Sequence, residues 1–294
     1  MSPLHLNSLE AGAPSRPLLQ TGTPTPMPAG DVIKLSSPGT REFWEIPIVY
    51  EDEHLLAVDK PSGLLTSPDR HEAGRPSLIS LLHAAIAEGK SWAVAHNRSY
   101  LTNAHRLDLE TSGILLLAKS KEVLVKLADQ FGSNKPLSRC VALINGTPRD
   151  DKFDVDVKIA PHPLKPGVMH IDKRYGKKSR SCFEVMEKFR DHTLLRCLPF
   201  TSRAHQIRVH LRFIKLPIVG DATYHGAPLK LSRLKRRYTV KTGEVEKPLM
   251  GRVALHAEEL TLPHPVTGEM LTLKAEWPKD FTVAVKYLRR YAGL

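Results

Sequence analysis

Arg106-Leu107-Asp108 puts a guanidinium and a carboxylate one residue apart, directly before the turn Thr111-Ser112-Gly113 and the apolar run Ile114 to Ala118. A buried strand after a tight turn would hold one carboxylate with little freedom. That is what an acid needs to attack carbon or direct a proton. An aspartate before a strand can also simply cap a turn. Three features favour chemistry at Asp108: the neighbouring Arg106, the tight turn, and a second polar motif downstream. That motif, Phe200 to Leu211, interleaves Thr201, Ser202, Arg203, His205, Gln206, Arg208 and His210 with apolar residues. Arg203, at the start of an expected helix from Arg203 to Ile214, could pair with a carboxylate and favour its ionised form. The same pattern also describes an amphipathic helix with a basic face.

Other chemistries fit less well. His205 and His210 are five apart, so they do not share a helix face as zinc ligands four apart would. Asp108 and Glu110 could form a glycosidase pair, but neighbouring loop acids are usually solvated. There is no Gly-rich phosphate loop, so no nucleotide cofactor is expected.

The elements that must position these residues follow from periodicity. Residues 48–58 are expected to form two strands around the acidic turn Glu51-Asp52-Glu53, closed by the loop Lys60-Pro61-Ser62-Gly63. Leu78, Leu81, Leu82, Ala85 and Ile86 have helical spacing, with Gly89 as a C-terminal cap. Ser120 can cap a helix carrying Leu124, Leu127, Ala128 and Phe131. Cys140 to Ile144 is a short strand. Hairpins are expected over 181–200, turning at Arg190-Asp191-His192, and over 259–276, turning at 264–268. Hairpins mixed with isolated helices indicate an α+β fold.

The chain has 294 residues and a net charge of +12, which attracts polyanions, with nucleic acid the first candidate. Seven of its 23 prolines fall in the first 40 residues, which read as a disordered arm over 1–45. Ordered structure is expected near Ile46, with one domain over 46–294. A basic insertion occupies 228–252. Its stretch from Lys230 to Arg252 holds eight basic and two acidic residues, half of the net charge. Lys230, Arg233, Lys235, Arg236 and Arg237, with Tyr238 for stacking, would face RNA; a solvated loop is the alternative. Three cysteines without metal-ligand spacing suit a reducing cytoplasm. No run is long enough to span a membrane, and no long heptad pattern points beyond a monomer.

Taken together, the motifs resemble those of the RluA family of pseudouridine synthases. His105-Arg106-Leu107-Asp108 with Thr111-Ser112-Gly113 and Ala118-Lys119 is similar to the family's catalytic motif. Lys60-Pro61-Ser62-Gly63-Leu64 resembles an earlier one. Arg203 to His210 with Pro217-Ile218-Val219-Gly220-Asp221 resembles a late one, and Leu255-His256-Ala257 with His264-Pro265 matches the C-terminal part. The resemblance implies a cofactor-free isomerase that converts uridine in ribosomal or transfer RNA to pseudouridine. It implies a mixed, mainly antiparallel sheet with flanking helices around a central RNA-binding cleft. Asp108 would be catalytic, Arg106 would replace the flipped base, and Arg203 would pair with Asp108. Leu107, Cys140 and Ile207 would line the substrate site, and Lys60 would contact RNA. Two positions depart from the pattern. Cys140 stands where the family has a tyrosine thought to stack on the uracil, and Ser202 replaces a glycine before Arg203. An RNA-binding or ribosome-assembly factor with the fold but weakened chemistry is the rival implied. Many members carry an N-terminal S4 module, which the Pro-rich first 40 residues cannot form.

Overall fold

Buried Ile33 and Leu35 alternate with exposed Val32 and Lys34, so the chain enters the sheet at β1 (Val32–Ser37). The computed structural model describes residues 31–69, 74–95, 98–240 and 243–294. Strand structure is therefore already present at Val32, ahead of the expected start near Ile46. The prolines dominate the composition of this window, but the period-two pattern after Asp31 decides the local structure. The rest of the expected arm, residues 1–30, lies outside the described residues.

β2 (Glu42–Glu51) and β3 (Leu55–Lys60) form the expected antiparallel pair. Asp52 closes their turn by accepting the backbone N–H groups of His54 and Leu55 at 2.7 and 2.6 Å. α1 (Leu78–Ala87) starts at the side-chain cap of Ser77, and Gly89 follows its end at φ 64°. α2 (Ser91–Ala95) and β4 (Thr102–Asn103) lead to β5 (Ser112–Ala118). α3 (Lys121–Gly132) begins at the expected Ser120 cap. β6 (Leu137–Asn145), β7 (Lys152–Pro161), β8 (Met169–Ile171), β9 (Lys177–Lys188) and β10 (His192–Pro199) follow. The chain continues through α4 (Gln206–Phe213), α5 (Leu231–Leu234), β11 (Leu255–Pro263), β12 (Met270–Lys274) and α6 (Lys279–Ala292). Both expected hairpins, β9–β10 and β11–β12, are present.

Among the described residues, twelve strands make one sheet, ordered β1-β2-β3-β5-β11-β6-β10-β9-β7-β8, with β12 on β11 and β4 on β5. Every pairing is antiparallel except β5 with β11. β5 is buried at all seven positions because both of its faces are covered. Leu115 and Leu117 pack with α1 and β1, while Ile114, Leu116 and Ala118 pack with α3 and β12. A third cluster joins β6, β9 and β10 to α4 and α6. β5 and β11 approach closely at Gly113, whose φ is 119°; a Cβ there would lie 2.2 Å from the Ala257 carbonyl oxygen. Only glycine permits this seam.

Three buried imidazoles are held neutral. Burial pulls His105, His210 and His256 down to about 4. Their hydrogen bonds agree: His105 Nε2 accepts the Leu116 N–H at 2.9 Å, which a protonated ring could not do. The Ser179 hydroxyl donates to Val157 and accepts from His210 Nε2 at 3.0 Å, while the buried His210 Nδ1 has no partner among the described residues to receive a second proton. Folded-state values below the unfolded ~6.5 mean that stability is whole above that pH and is lost as pH falls towards about 4. Urea unfolding at pH 7.5, 6, 5 and 4 should show a falling unfolding free energy, by up to ~1.4 kcal/mol per pH unit per histidine. A profile flat from 7.5 to 4 would contradict these assignments.

Candidate active site

The turn carrying Asp108 is clamped from the segment after β3. Thr66 Oγ1 accepts the Leu107 N–H at 3.1 Å and donates to the Leu107 carbonyl at 2.9 Å. Gly63 N–H donates to the Leu109 carbonyl, and Ser62 Oγ donates to that of Glu110. Thr111 N–H closes the turn on the Asp108 carbonyl. Upstream, the His105 ring stacks on Phe131 at 4.7 Å. The loop Lys60 to Gly63 thus serves as a brace for the acid.

Lys60 is not a surface contact for RNA. It is fully buried, and its Nζ donates to the carbonyls of Pro61 and Leu64 at 2.8 and 2.7 Å. Burial pulls it down to about 7, against the opposing pull of Asp108 and Glu110. The last residue of β3 faces inward, so its ammonium sits beneath the acidic turn.

The expected partner of Asp108 is also corrected. Arg203 is exposed, and its Nε donates to the Lys178 carbonyl at 3.3 Å. Arg208 forms the ion pair instead, with Nη1 3.7 Å from Asp108 Oδ2. The reason is the helix start. α4 begins at Gln206, not Arg203, because His205 adopts a left-handed conformation (φ 54°) that turns the chain. This turn aims the His205 N–H at Asp108 Oδ1, 3.4 Å away. It also rotates Arg208, one turn into a helix buried from Gln206 to Leu211, towards the acid.

Arg208 is 1% exposed and is held by three carboxylates. Asp221, itself fully buried, takes its Nε and Nη2 at 2.7 and 2.9 Å, and Glu110 takes Nη1 at 3.0 Å. Burial opposes its charge, but the Asp221 hydrogen bonds and the charges of Asp108, Asp221 and Glu110 push it above the ordinary arginine value. Glu110 is therefore a partner of Arg208 and not merely a solvated acid. Sequence reading missed Asp221, Glu110, Tyr224 and the His205 amide. A buried aspartate in Val219-Gly220-Asp221 needing a cation was the signal available.

Asp108, with a side chain 16% exposed, stands between two cavities. One, of about 140 Å³, is lined by Arg106, Leu107, Cys140, Phe200, Arg203 and Ile207 among others. That is below the ~300 Å³ lower end for sites enclosing drug-sized ligands, and suits one flat ring. The other, of about 260 Å³, is lined by Asp69, Arg106, Glu110 and His205 with Val168 and Thr223. Arg106 is 66% exposed and only loosely paired with Asp69 at 3.7 Å. Among the described residues, no group of His, Cys, Asp or Glu side chains could hold a metal ion.

Cys140 pairs in register with Cys197 across β6 and β10, and its buried thiol lines the smaller cavity. Burial, then the charges of Glu258 and Asp108, push it up to about 12. A thiolate is thus absent at neutral pH, and Cys140 is a wall. Cys140→Ala should keep turnover within about tenfold with an unchanged kcat–pH profile, measured by product release. A loss beyond about a hundredfold would make the thiol a participant.

The basic insertion sits elsewhere. Lys230 is half-buried, while Arg233, Lys235, Arg236 and Arg237 are exposed. Lys235 lies 6.0 Å from the Tyr291 ring of α6, and His192 is held below its ordinary value by burial and by Arg233. Among the described residues, none from 228–252 lines either cavity at Asp108. Ala227, just ahead of the insertion, donates to Asn145 Oδ1 at the end of β6, roughly 17 Å of strand from Cys140.

Comparison with known proteins shows the family. Residues 54–213 match the RNA pseudouridylate synthase family, and the chain belongs to it as an RNA pseudouridine synthase. It is 34% identical over 244 residues to the ribosomal large subunit pseudouridine synthase D of Xanthomonas campestris pv. campestris, covering 82% of this chain and 69% of that one. It is 32% identical over 243 residues to the dual-specificity RNA pseudouridine synthase RluA of Escherichia coli, covering 82% and 96%. Among solved structures it is similar to human RNA pseudouridylate synthase domain containing 4, with a TM-score of 0.62, 25% identity, and coverage of 82% and 92%. No helix among the described residues is long and apolar enough to cross a membrane.

Proposed function

We propose that this protein isomerises a specific uridine of structured ribosomal or transfer RNA, with Asp108 as the catalytic carboxylate. The observation that carries the reading is Asp108 at the lip of a ring-sized recess, fixed by a braced turn and facing the buried cation Arg208. In the reaction the N1–C1′ bond breaks, the uracil turns in place, C5 bonds to C1′, and the C5 proton leaves as N1 gains one. A carboxylate can trap C1′ or assist elimination while Leu107, Ile207 and Cys140 confine the base. Arg203 lies across the recess as a hydrogen-bond donor for the uracil or its phosphate. The target must leave its stack, which costs a few kcal/mol and is cheapest in a loop. Arg106 is suited to fill the gap, since an exposed ion pair such as that with Asp69 contributes only ~0–1 kcal/mol.

Lys230, Arg233, Lys235, Arg236 and Arg237 would hold a more distant part of the RNA by phosphate contacts. The protein would act as a cytoplasmic monomer, without a cofactor; three free, buried cysteines suit a reducing compartment. The test is tritium release from C5-labelled cellular RNA, with pseudouridine mapping in cells with and without the gene. Loss of one or a few sites on deletion is expected. Binding without product, and no site lost, would favour an RNA-binding assembly factor.

A further inference from the structure

A third cavity, of about 480 Å³, opens behind α4. Its volume falls within the ~300–1,000 Å³ of small-molecule sites. Lys165 and Arg212 bring positive charge, Tyr224 and Phe213 bring aromatic faces, and no carboxylate lines it. Three imidazoles, those of His162, His170 and His225, complete it. The His162 Nδ1 accepts the Leu164 N–H at 3.1 Å, which leaves Nε2 carrying a proton to donate. Its ring meets that of His170 edge-on at 5.2 Å, and the solvent-excluded His170 Nδ1 has no hydrogen-bond partner among the described residues.

This cavity adjoins the catalytic centre. It shares Val168 and Thr223 with the 260 Å³ cavity at Asp108. Its wall residue Tyr224 holds the Arg208 guanidinium 5.0 Å from its ring centre and bonds His205 Nδ1 at 2.7 Å. Between them, the acids of the 260 Å³ cavity are paired: Asp69 with Arg106, and Glu110 and Asp108 with Arg208. A polyanion leaving the 260 Å³ cavity on this side would thus meet Lys165 and Arg212, for which no carboxylate lines the third cavity.

We propose that this cavity seats a nucleotide flanking the target uridine, its phosphate on Lys165 and Arg212 and its base against the exposed Phe213 ring. Cationic groups beside aromatic faces are the chemistry that holds single-stranded nucleic acid without reading sequence. The inference rests on the protein acting on RNA, but its test does not depend on catalysis.

The probe is a fluorescein-labelled 12-mer oligouridylate, its Kd read by anisotropy from 50 to 300 mM KCl. Arg212→Gln and Lys165→Gln should each weaken binding by roughly three- to tenfold and reduce the log–log salt slope by about 0.7, the loss of one single-strand phosphate contact. Arg212→Lys should largely restore the slope. Lys126→Gln, an equal charge change on the exposed face of α3, should leave it near that of the unaltered protein. Lys165 lies in an exposed loop, so its variant tests the site even if changes on α4 lower Tm. Failure to bind the oligonucleotide, or effects no larger than that of Lys126→Gln, would overturn the proposal. Product formation without an effect at Arg212 and Lys165 would reject the cavity alone. An effect there in a protein inert on RNA would reject the isomerase reading alone.

Discussion

Asp108→Asn protein should bind its RNA with a Kd within about threefold of the parent and release tritium at least roughly 10³-fold more slowly. The separation follows from how little of the fold leans on this carboxylate charge. Asparagine keeps an oxygen to accept the His205 amide, now at 3.4 Å. Arg208 loses only a partner 3.7 Å away and keeps Asp221 and Glu110 at 2.7 to 3.0 Å. What disappears is the Asp108 carboxylate at the lip of the ring-sized recess. Glu110→Gln is the matched control. It removes an acid two residues away whose side chain is 34% exposed, and activity should stay within about tenfold. Residual turnover above about 1% in the Asp108 variant, or equal losses in both, would move catalysis off Asp108.

The largest loss of stability is expected at Arg208→Met. Asp221 is fully buried and relies on this guanidinium for two hydrogen bonds. Removing one member of such a pair costs ~3–5 kcal/mol, because the remaining charge has neither water nor a counterion. Urea unfolding should show a drop of that size. Adding Asp221→Asn should return part of it, since the stranded charge goes while Asn can still accept the Tyr224 N–H. A single-variant loss under about 1 kcal/mol, or strict additivity, would mean that the pair is solvated in solution. Activity measured well below the variant's Tm should fall as well, because Asp108 loses the arginine it is paired with.

The local elements and the braced turn at Asp108 were legible in the sequence, but the arginine that Asp108 faces was not. The hairpins β9–β10 and β11–β12 and the Ser120 cap were legible because each depends on neighbours in the chain. Arg203 and Arg208 were both in view. The choice between them depended on a left-handed His205 that shifts the helix start by three residues, and no periodicity encodes that. Basic residues were assigned to a solvent face, yet α4 is buried through six consecutive positions, so its arginine points into the protein. Lys60 failed for the same reason: a lysine at a strand end normally reaches water, and here the acidic turn and two carbonyls replace it. The Pro-rich opening hid β1, whose alternation covers only six residues. Cys140, expected beside the substrate, does line the recess, as a buried thiol.

The strand that joins the two halves of the sheet is among the last to be made. β11 lies between β5 and β6, so those two strands never touch, and the ladder is whole only once Leu255–Pro263 has been synthesised. A growing polypeptide that has emerged through α4 has Asp108 on one half-sheet and Cys140 on the other, with contacts such as Asp108 to Arg208 between them but no strand hydrogen-bonded to both. Its recess also lacks Leu255 and Ala257. Catalytic competence therefore arrives late, after most of the chain has left the ribosome, and a message truncated before codon 255 yields two unsealed strand edges open to misassembly.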